Sequence, residues 1–385
     1  MFLGQEAQMT DELKQDSIET VVVGGGQSGL ATSYHLKRLG LNHVVLDENE
    51  RAGSAWRNRW PSLRLFTPGR YNSLPGMPYP GPARSLPGKD DIADYLESYA
   101  AHFDLPVRGG VKVDRIVGDD DRYLLESGDE RISAENVVVA TGAFHNPHIP
   151  DFARSLDSNI VQMHASDYRG PSQVPEGPVL VVGAGQSGAE IALDLAADHR
   201  VWLSGEDRGE EPGRPGSVTD RLIAPIMVFA ATKVLNVANP LGRKVRDHFL
   251  YPPRGIPRAG GTRKRIRDSE IEWVGRTTGT KDGRPQIEDG RVLDVASVIW
   301  CTGFRPDYAW IELPVFDSYG YPIHSRGVVE SQPGLYFMGL LFQRTLSSAL
   351  IMGVGKDAEY IAARIEARTR ARRSSTQSAR GVYTA

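Results

Sequence analysis

Two turns, Gly24-Gly25-Gly26-Gln27-Ser28-Gly29 and Gly183-Ala184-Gly185-Gln186-Ser187-Gly188, repeat one glycine spacing far apart in a single chain. Each follows a run of valines and opens a helix-like stretch, the setting in which GxGxxG reads as a dinucleotide cradle. In the first turn Gly24 permits the tight bend, Gly26 lets the backbone approach a pyrophosphate, and Gly29 lets the helix lie close on the strand. The helix that begins near Gln27 and Ser28 then turns unpaired N–H groups and a positive dipole end toward the phosphates. Gly183, Gly185, Gln186, Ser187 and Gly188 offer the same parts a second time. Two cradles imply two dinucleotides, and the simplest chemistry that needs both is hydride transfer from a nicotinamide to a flavin.

The residue after the following strand sorts the ribose ends. Asp47 stands about 20 residues beyond the first turn, placed to hold a ribose hydroxyl pair. In the second unit the same region reads Ser204-Gly205-Glu206-Asp207-Arg208, which mixes acids that favour a free ribose with an arginine able to hold a phosphate. Ser204 and Arg208 tilt the expectation toward NADPH, with NADH left open.

Other chemistries find fewer parts. The single cysteine, Cys301, excludes an internal disulfide framework and a redox dithiol. The histidines are scattered without ligand spacing, so no metal is expected. Ser28 and Ser187 belong to glycine turns and not to a nucleophile elbow. A formal net charge of −3 carries no polyanion-binding signature, which argues against nucleic acid. The polar start of the chain, with Asp11, Glu12 and Asp16, lacks a secretory pattern and leads to an expectation of cytoplasmic residence. Leu222 to Ala238 is apolar but contains Pro225, Lys233 and Asn236 and is short for a bilayer span. It is expected as a helix or helix pair packed on the protein, the alternative being a surface segment that shields a substrate entrance or touches a membrane face.

The elements that position these turns follow from hydrophobic patterning. Thr20-Val21-Val22-Val23 reads as a buried parallel strand, Gly29 to Leu39 as a helix stopped at Gly40, and Val44-Val45-Leu46 as the next strand. Val179 to Val182, Ser187 to Ala197, and Val201-Trp202-Leu203 repeat that order. Two further strands end alike, in Ala140-Thr141-Gly142 and in Cys301-Thr302-Gly303, and bracket the second unit. The predicted fold is α/β, with two Rossmann-like dinucleotide-binding domains and the second inserted into the first. The first would comprise residues 18–150 and 299–366 and the second 151–298, with flexible tails at 1–17 and 367–385. The loop-rich stretch from Trp56 to Lys89 is long enough to be functional.

Taken together the motifs resemble the class B flavin-dependent monooxygenases, a group that includes the flavin-containing, YUCCA-type and Baeyer–Villiger enzymes and small bacterial members. The matching pieces are both glycine turns, Gly53-Ser54-Ala55-Trp56-Arg57, Ser62 to Pro68, Ser73-Leu74-Pro75-Gly76, Ala140-Thr141-Gly142, Trp300 to Phe304, and Pro333 to Gly339. The resemblance implies FAD at the first turn and NAD(P)H at the second, with O2 and a small organic molecule as substrates. It implies further that Trp56 and Arg57 lie along the flavin and that Gly339 to Ser348 closes over its ring, with Ala140, Thr141, Gly142, Thr302 and Gly303 among the cofactor contacts. One oxygen atom would pass through a flavin hydroperoxide to an amine, a sulfide, or a carbonyl or 2-oxo acid.

Departures from the family pattern matter too. His164 and Tyr168 keep the spacing of the family fingerprint FxGxxxHxxxY, but its Phe and Gly are missing, and His164 is assigned a structural linker role. The asparagine that animal-type members place near the flavin is replaced by Phe66-Thr67-Pro68, and Thr67 is the candidate catalytic donor in its stead. Two rival readings remain: a reductase or oxidase without oxygen insertion, which would need an external acceptor, and a non-enzymatic nucleotide-binding sensor or transport accessory.

Overall fold

Val21 and Val22 have no exposed surface, as expected of a strand covered on both faces, and they lie at the centre of the first of two large sheets. The computed structural model describes residues 17–119, 122–142, 146–213, 217–250 and 258–382. Strand β1 (Ser17–Val23) leads through the first turn into helix α1 (Gln27–Arg38), which ends in basic residues ahead of Gly40 at φ +67°. The chain continues through β2 (His43–Leu46), a short α2 (Ser54–Arg57), α3 (Lys89–His102), β3 (Val107–Arg108), β4 (Arg115–Gly118), β5 (Tyr123–Ser127) and β6 (Glu130–Val139). Sheet order is β3-β2-β1-β6-β5-β4. The β3, β2, β1 and β6 neighbours are parallel, and the β4-β5-β6 edge is antiparallel.

Beyond β7 (Asn146–Pro147) the second unit contains β8 (Val161–His164), β9 (Val179–Val182), α4 (Gln186–Leu195), β10 (Val201–Ser204), α5 (Val218–Phe229), α6 (Pro240–Leu250), α7 (Thr262–Arg267), β11 (Glu272–Val274), the hairpin β12 (Thr277–Lys281) and β13 (Arg284–Ile287), and β14 (Ser297–Trp300). Its five-stranded sheet, β11-β10-β9-β14-β8, is parallel throughout. The chain then returns through β15 (Phe304–Arg305) to β16 (Leu335–Phe337), which joins the first sheet alongside β6. Outgoing and returning connections pair with each other, β7 against β15, so the passage between units is double-stranded. Since β14 runs in the second sheet through Trp300, the return crossing falls beyond the boundary predicted at 298.

One prediction fails at the C-terminal end. Residues 367–385 were expected as a flexible tail, but α8 runs unbroken from Ile351 to Val382. Arg372 pairs with Glu135, Arg373 pairs with Glu19, and Thr369 is buried, so contacts with the distant first sheet order a stretch whose composition is polar. The tail predicted at 1–17 lies outside the described residues except for Ser17, which already belongs to β1.

The two units are joined by a loop from the first. Trp60 and Leu63 pack into the core of the second with Ala165, Tyr168, Ala189 and Ile299. Leu63 also touches the core formed by α1, α3 and α8, which includes Leu30, Ile92, Tyr99 and Ile361.

Candidate functional site

The two glycine turns have the same geometry. Gly24 and Gly183 turn through φ of +109° and +111°. A methyl group on Gly24 would lie 2.6 Å from the Ala140 carbonyl oxygen, and one on Gly183 would overlap that of Cys301. Methyl groups on Gly29 and Gly188 would overlap the carbonyls of Gly24 and Gly183, so helix and turn are in direct backbone contact. The helix-capping residues Gly26 (φ −80°, ψ −172°) and Gly185 (φ −76°, ψ −168°) face open space. Neither helix has a side-chain cap, which leaves its first N–H groups for an incoming anion.

These parts fit a dinucleotide. Beside the first turn Thr141 has a buried hydroxyl with no hydrogen-bond partner, a group suited to a bound polar ligand. Gly142 and Gly303, each three residues past the end of its strand, turn at φ +77° and +80°. Gly339, at φ +78°, passes so close to Ser28 that a methyl group there would overlap its hydroxyl oxygen. Gln27 then links three segments: its carbonyl accepts a hydrogen bond from Trp56 Nε1 at 3.3 Å, and its amide donates to Ala349 at 3.5 Å.

Register distinguishes the two ribose ends. Gly24 N–H donates to the Leu46 carbonyl and Gly183 N–H donates to the Ser204 carbonyl, so Gly205 occupies the place that Asp47 holds in the first unit. Asp47 accepts from Gly25 N–H at 2.5 Å and from the Asn49 amide groups at 2.8 and 2.9 Å. No carboxylate stands at the equivalent place beside Ala184. Ser204, expected to help hold a phosphate, is buried: it donates to the Gly275 carbonyl at 2.8 Å and accepts from Thr277 N–H at 2.9 Å. That removes its hydroxyl from the ligand side, because the hairpin after β11 has taken its bonds. Arg208 remains exposed, 3.8 Å from Glu206.

Other expected contacts are redirected. Arg57 pairs with Asp94 at 2.6 Å and Glu97 at 2.8 Å, which turns its guanidinium toward α3. Ser348 accepts from the N–H groups of Arg344 and Thr345 and so shapes its own loop. That loop is clamped to α8 by the buried ion pair of Arg344 with Asp357, 2.6 Å long. Thr302 donates to the His148 carbonyl, and Gly303 accepts from His148 N–H and from His164 Nε2, so these residues brace the crossing. His164 thus makes the linker contact expected of it, and burial lowers its pKa from the ordinary histidine value. The Thr67 hydroxyl donates to Asn72 Oδ1 at 2.7 Å, and Asn72 Nδ2 returns bonds to the Thr67 and Pro68 carbonyls. With its one hydrogen committed, Thr67 is placed to orient the loop and not to donate onward.

A cavity of about 410 Å³ opens where the units meet, lined by Ser62, Arg64, Phe66, Gln186, Glu190 and Arg265 among others. Gln186 spans it, donating to Glu190 at 2.6 Å and accepting from Ala259 N–H at 2.8 Å. Burial raises the Glu190 carboxyl above its usual range, opposed by the Gln186 hydrogen bond and by Arg265.

Sequence reading missed Asn72 and Arg258. Asn72 lies five residues from Thr67 with no motif to mark it. Arg258 is almost fully buried under the second turn, where its guanidinium donates to the Ala184 carbonyl and pairs with Asp207. The adjacent Gly260-Gly261 was the available signal that the backbone there approaches another element.

Residues 21–224 match the model of the pyridine nucleotide-disulphide oxidoreductase family. A CzcO-like oxidoreductase of Geobacillus kaustophilus is 40% identical over 90% of this chain and 98% of its own. A probable indole-3-pyruvate monooxygenase of Arabidopsis thaliana is 30% identical, over 88% of this chain and 85% of its own. Among solved structures, a flavin-containing monooxygenase from Stenotrophomonas maltophilia superposes with a TM-score of 0.75 at 25% identity, covering 92% of this chain and 100% of that one.

Proposed function

This chain belongs to the class B flavin-dependent monooxygenase family, and we propose that it is an NAD(P)H-dependent, FAD-containing monooxygenase that adds one oxygen atom from O2 to a small organic substrate. The observation that carries the proposal is the pair of uncapped helix N-termini of equal geometry, each following a parallel-paired strand of its own sheet, in a chain without a dithiol. Cys301 is alone, and burial pushes its thiol up to about 12, so electrons would leave by a route other than thiol–disulfide exchange.

In this reading Gly24, Gly26, Gly29 and Asp47 hold FAD, and Gly183, Gly185 and Gly188 hold the nicotinamide nucleotide. When bound, FAD supplies the ring that accepts hydride and activates oxygen. The protein orients, binds and shields. Gln27 and Trp56 fix the first helix against the Gly339–Ala349 loop, and the Arg344–Asp357 pair keeps that loop closed on α8. Trp60 and Leu63 pack across from the first unit into the core of the second. Gly205 in the place of a carboxylate, with Arg208 exposed and facing Glu206 at 3.8 Å, supports NADPH over NADH, since a 2′-phosphate could take the place of Glu206 on that cation.

The deciding experiment measures NADPH, O2, peroxide and product together with an amine, a sulfide and a 2-oxo acid in turn. Product formed in step with NADPH for one class supports the monooxygenase. NADPH oxidised to peroxide alone with every class would make the protein an oxidase, and a preparation that binds no flavin would end both readings.

A further inference from the structure

The segment 222–250 is built unlike the rest of the surface. From Leu222 to Phe229 helix α5 carries apolar side chains on every side: Ile223, Ala224 and Val228 are half-buried against the protein, while Leu222, Ile226 and Phe229 are 70%, 67% and 60% exposed. Those three fall at i, i+4 and i+7, so they form one stripe facing outward. Met227 and, on α6, Leu241 extend the exposed apolar area. A helix that is apolar all round is ordinarily enclosed, and here only one side is.

Charge narrows what the cover would be. Residues 222–250 contain Lys233, Arg243, Lys244 and Arg246 against the single acid Asp247, in a chain whose formal net charge is −3. Lys233 lies beside Lys356 and Arg344, a concentration of like charge. Among the described residues Lys233, Arg243, Lys244 and Lys356 have no acidic partner, whereas Arg246 pairs with Asp247. A second copy docked about a two-fold axis would set this basic patch against its own image, which is unfavourable. An outward apolar stripe edged by lysine and arginine is the pattern of a helix lying in the interface of a bilayer. No helix among the described residues is long and apolar enough to cross a membrane, so contact would be with the surface alone.

We propose that the 222–250 face docks on an anionic lipid surface, with Leu222, Ile226 and Phe229 inserted among the acyl chains and Lys233, Arg243 and Lys244 on the headgroups. The site gains from the arrangement. Val237 N–H donates to the Arg344 carbonyl and Leu346 N–H donates to the Leu235 carbonyl, so the docked segment is stapled to the loop that borders the first cradle. An apolar substrate dissolved in lipid would arrive beside that loop. The proposal is independent of the cofactor assignment.

Sedimentation of the full-length protein with phosphatidylcholine vesicles, and with vesicles of equal parts phosphatidylcholine and phosphatidylglycerol, tests it at low and high salt. Binding is expected only to the anionic vesicles, weakened by salt. The double variant Ile226→Asp/Phe229→Asp should lose at least ~tenfold of the partition, and Arg243→Glu/Lys244→Glu a similar factor, with circular dichroism unchanged. Arg208→Ala, a charge loss outside the 222–250 segment, should bind like the parent. Failure of the parent protein to bind anionic vesicles would overturn the proposal. So would a parent dimer that the Ile226→Asp/Phe229→Asp variant converts to monomer, which would assign the face to a second copy. An unfolded aspartate variant leaves Ile226→Ser/Phe229→Ser to carry the same comparison, and full binding by a folded apolar-face variant refutes the insertion.

Discussion

Asp47 and Gly205 occupy the same place in the two halves of the molecule, each directly after the residue whose carbonyl receives the turn's first N–H. In one half a carboxylate fills the ribose end of the cradle, and in the other the Gly205 backbone lies against Ala184 and brings no side chain. A methyl group on Gly205 would sit 2.8 Å from Ala184 N, at φ +143°, so substituting it would strain the backbone. Arg208 gives the cleaner test. Arg208→Ala should raise KM for NADPH by about 10- to 100-fold, the range of a charge-assisted hydrogen bond, and leave KM for NADH within about twofold. Steady-state kinetics with both donors decide it, and an equal change for both would dissociate Arg208 from phosphate recognition.

The glycines of each cradle separate binding from stability. Gly26 and Gly185 have ordinary φ values and open space, so alanine there should leave the unfolding midpoint, compared between cofactor-free proteins, nearly unchanged. The added methyl would stand where a pyrophosphate must come, so Gly26→Ala should purify with little flavin and Gly185→Ala should raise KM for the nicotinamide donor. Gly29→Ala and Gly188→Ala, whose methyl groups would overlap backbone carbonyls, should instead lower the thermal midpoint by several degrees. Calorimetry beside flavin absorbance distinguishes the two patterns.

That division explains what was legible in the residues alone. A strand, a glycine turn and a helix are local, and their order from Thr20 to Leu46 and from Val179 to Leu203 emerged within a few residues of the observed elements. Ser204 was misjudged because Gly275 and Thr277, which take its hydroxyl, lie about seventy positions on. Arg57 was read as a cofactor contact because nothing in its neighbourhood reveals Asp94 and Glu97. The end of α8 was read as a tail for the same reason: its anchors, Glu19 and Glu135, lie far away in sequence, in the strands of the first sheet.

Ser204→Ala turns the same finding into a measurement. Loss of a buried hydroxyl that joins β10 to the β12 hairpin should cost about 1–3 kcal/mol of stability, because the Thr277 N–H is left without its acceptor. The NADPH to NADH preference should stay as it was. A changed preference at unchanged stability would return Ser204 to the ligand site.

Acid should weaken the fold through its histidines. His324 Nδ1 accepts from Gly327 N–H at 3.1 Å, which requires the neutral ring, and burial, reinforced by Arg246, pulls its pKa down to about 4. A histidine depressed in this way stays neutral in the folded protein while the unfolded chain takes up protons near 6.5. Its stabilisation is therefore complete above about pH 6.5 and is lost progressively as pH falls toward 4. His35, His43, His148 and His164 are lowered chiefly by burial as well and add in the same direction. Unfolding midpoints recorded from pH 7.5 to 4.5 should fall steadily, and less steeply in His324→Asn.

Thr67 and Asn72 make the last case, because their bonds run both ways. The hydroxyl of Thr67 donates to Asn72 Oδ1, and the amide of Asn72 holds the Thr67 and Pro68 carbonyls, so the loop after Trp56 is pinned from within. If Thr67 works by positioning, a hydroxyl is needed but its methyl group is not. Thr67→Ser should keep product formation in step with NADPH consumption, while the isosteric Thr67→Val should raise the share of NADPH lost to peroxide severalfold with KM for NADPH little changed. Asn72→Ala frees two carbonyls in a buried setting and should lower stability by about 1–3 kcal/mol besides. Normal coupling in Thr67→Val would show that the loop holds its shape without that hydroxyl, and would remove Thr67 from the chemistry altogether.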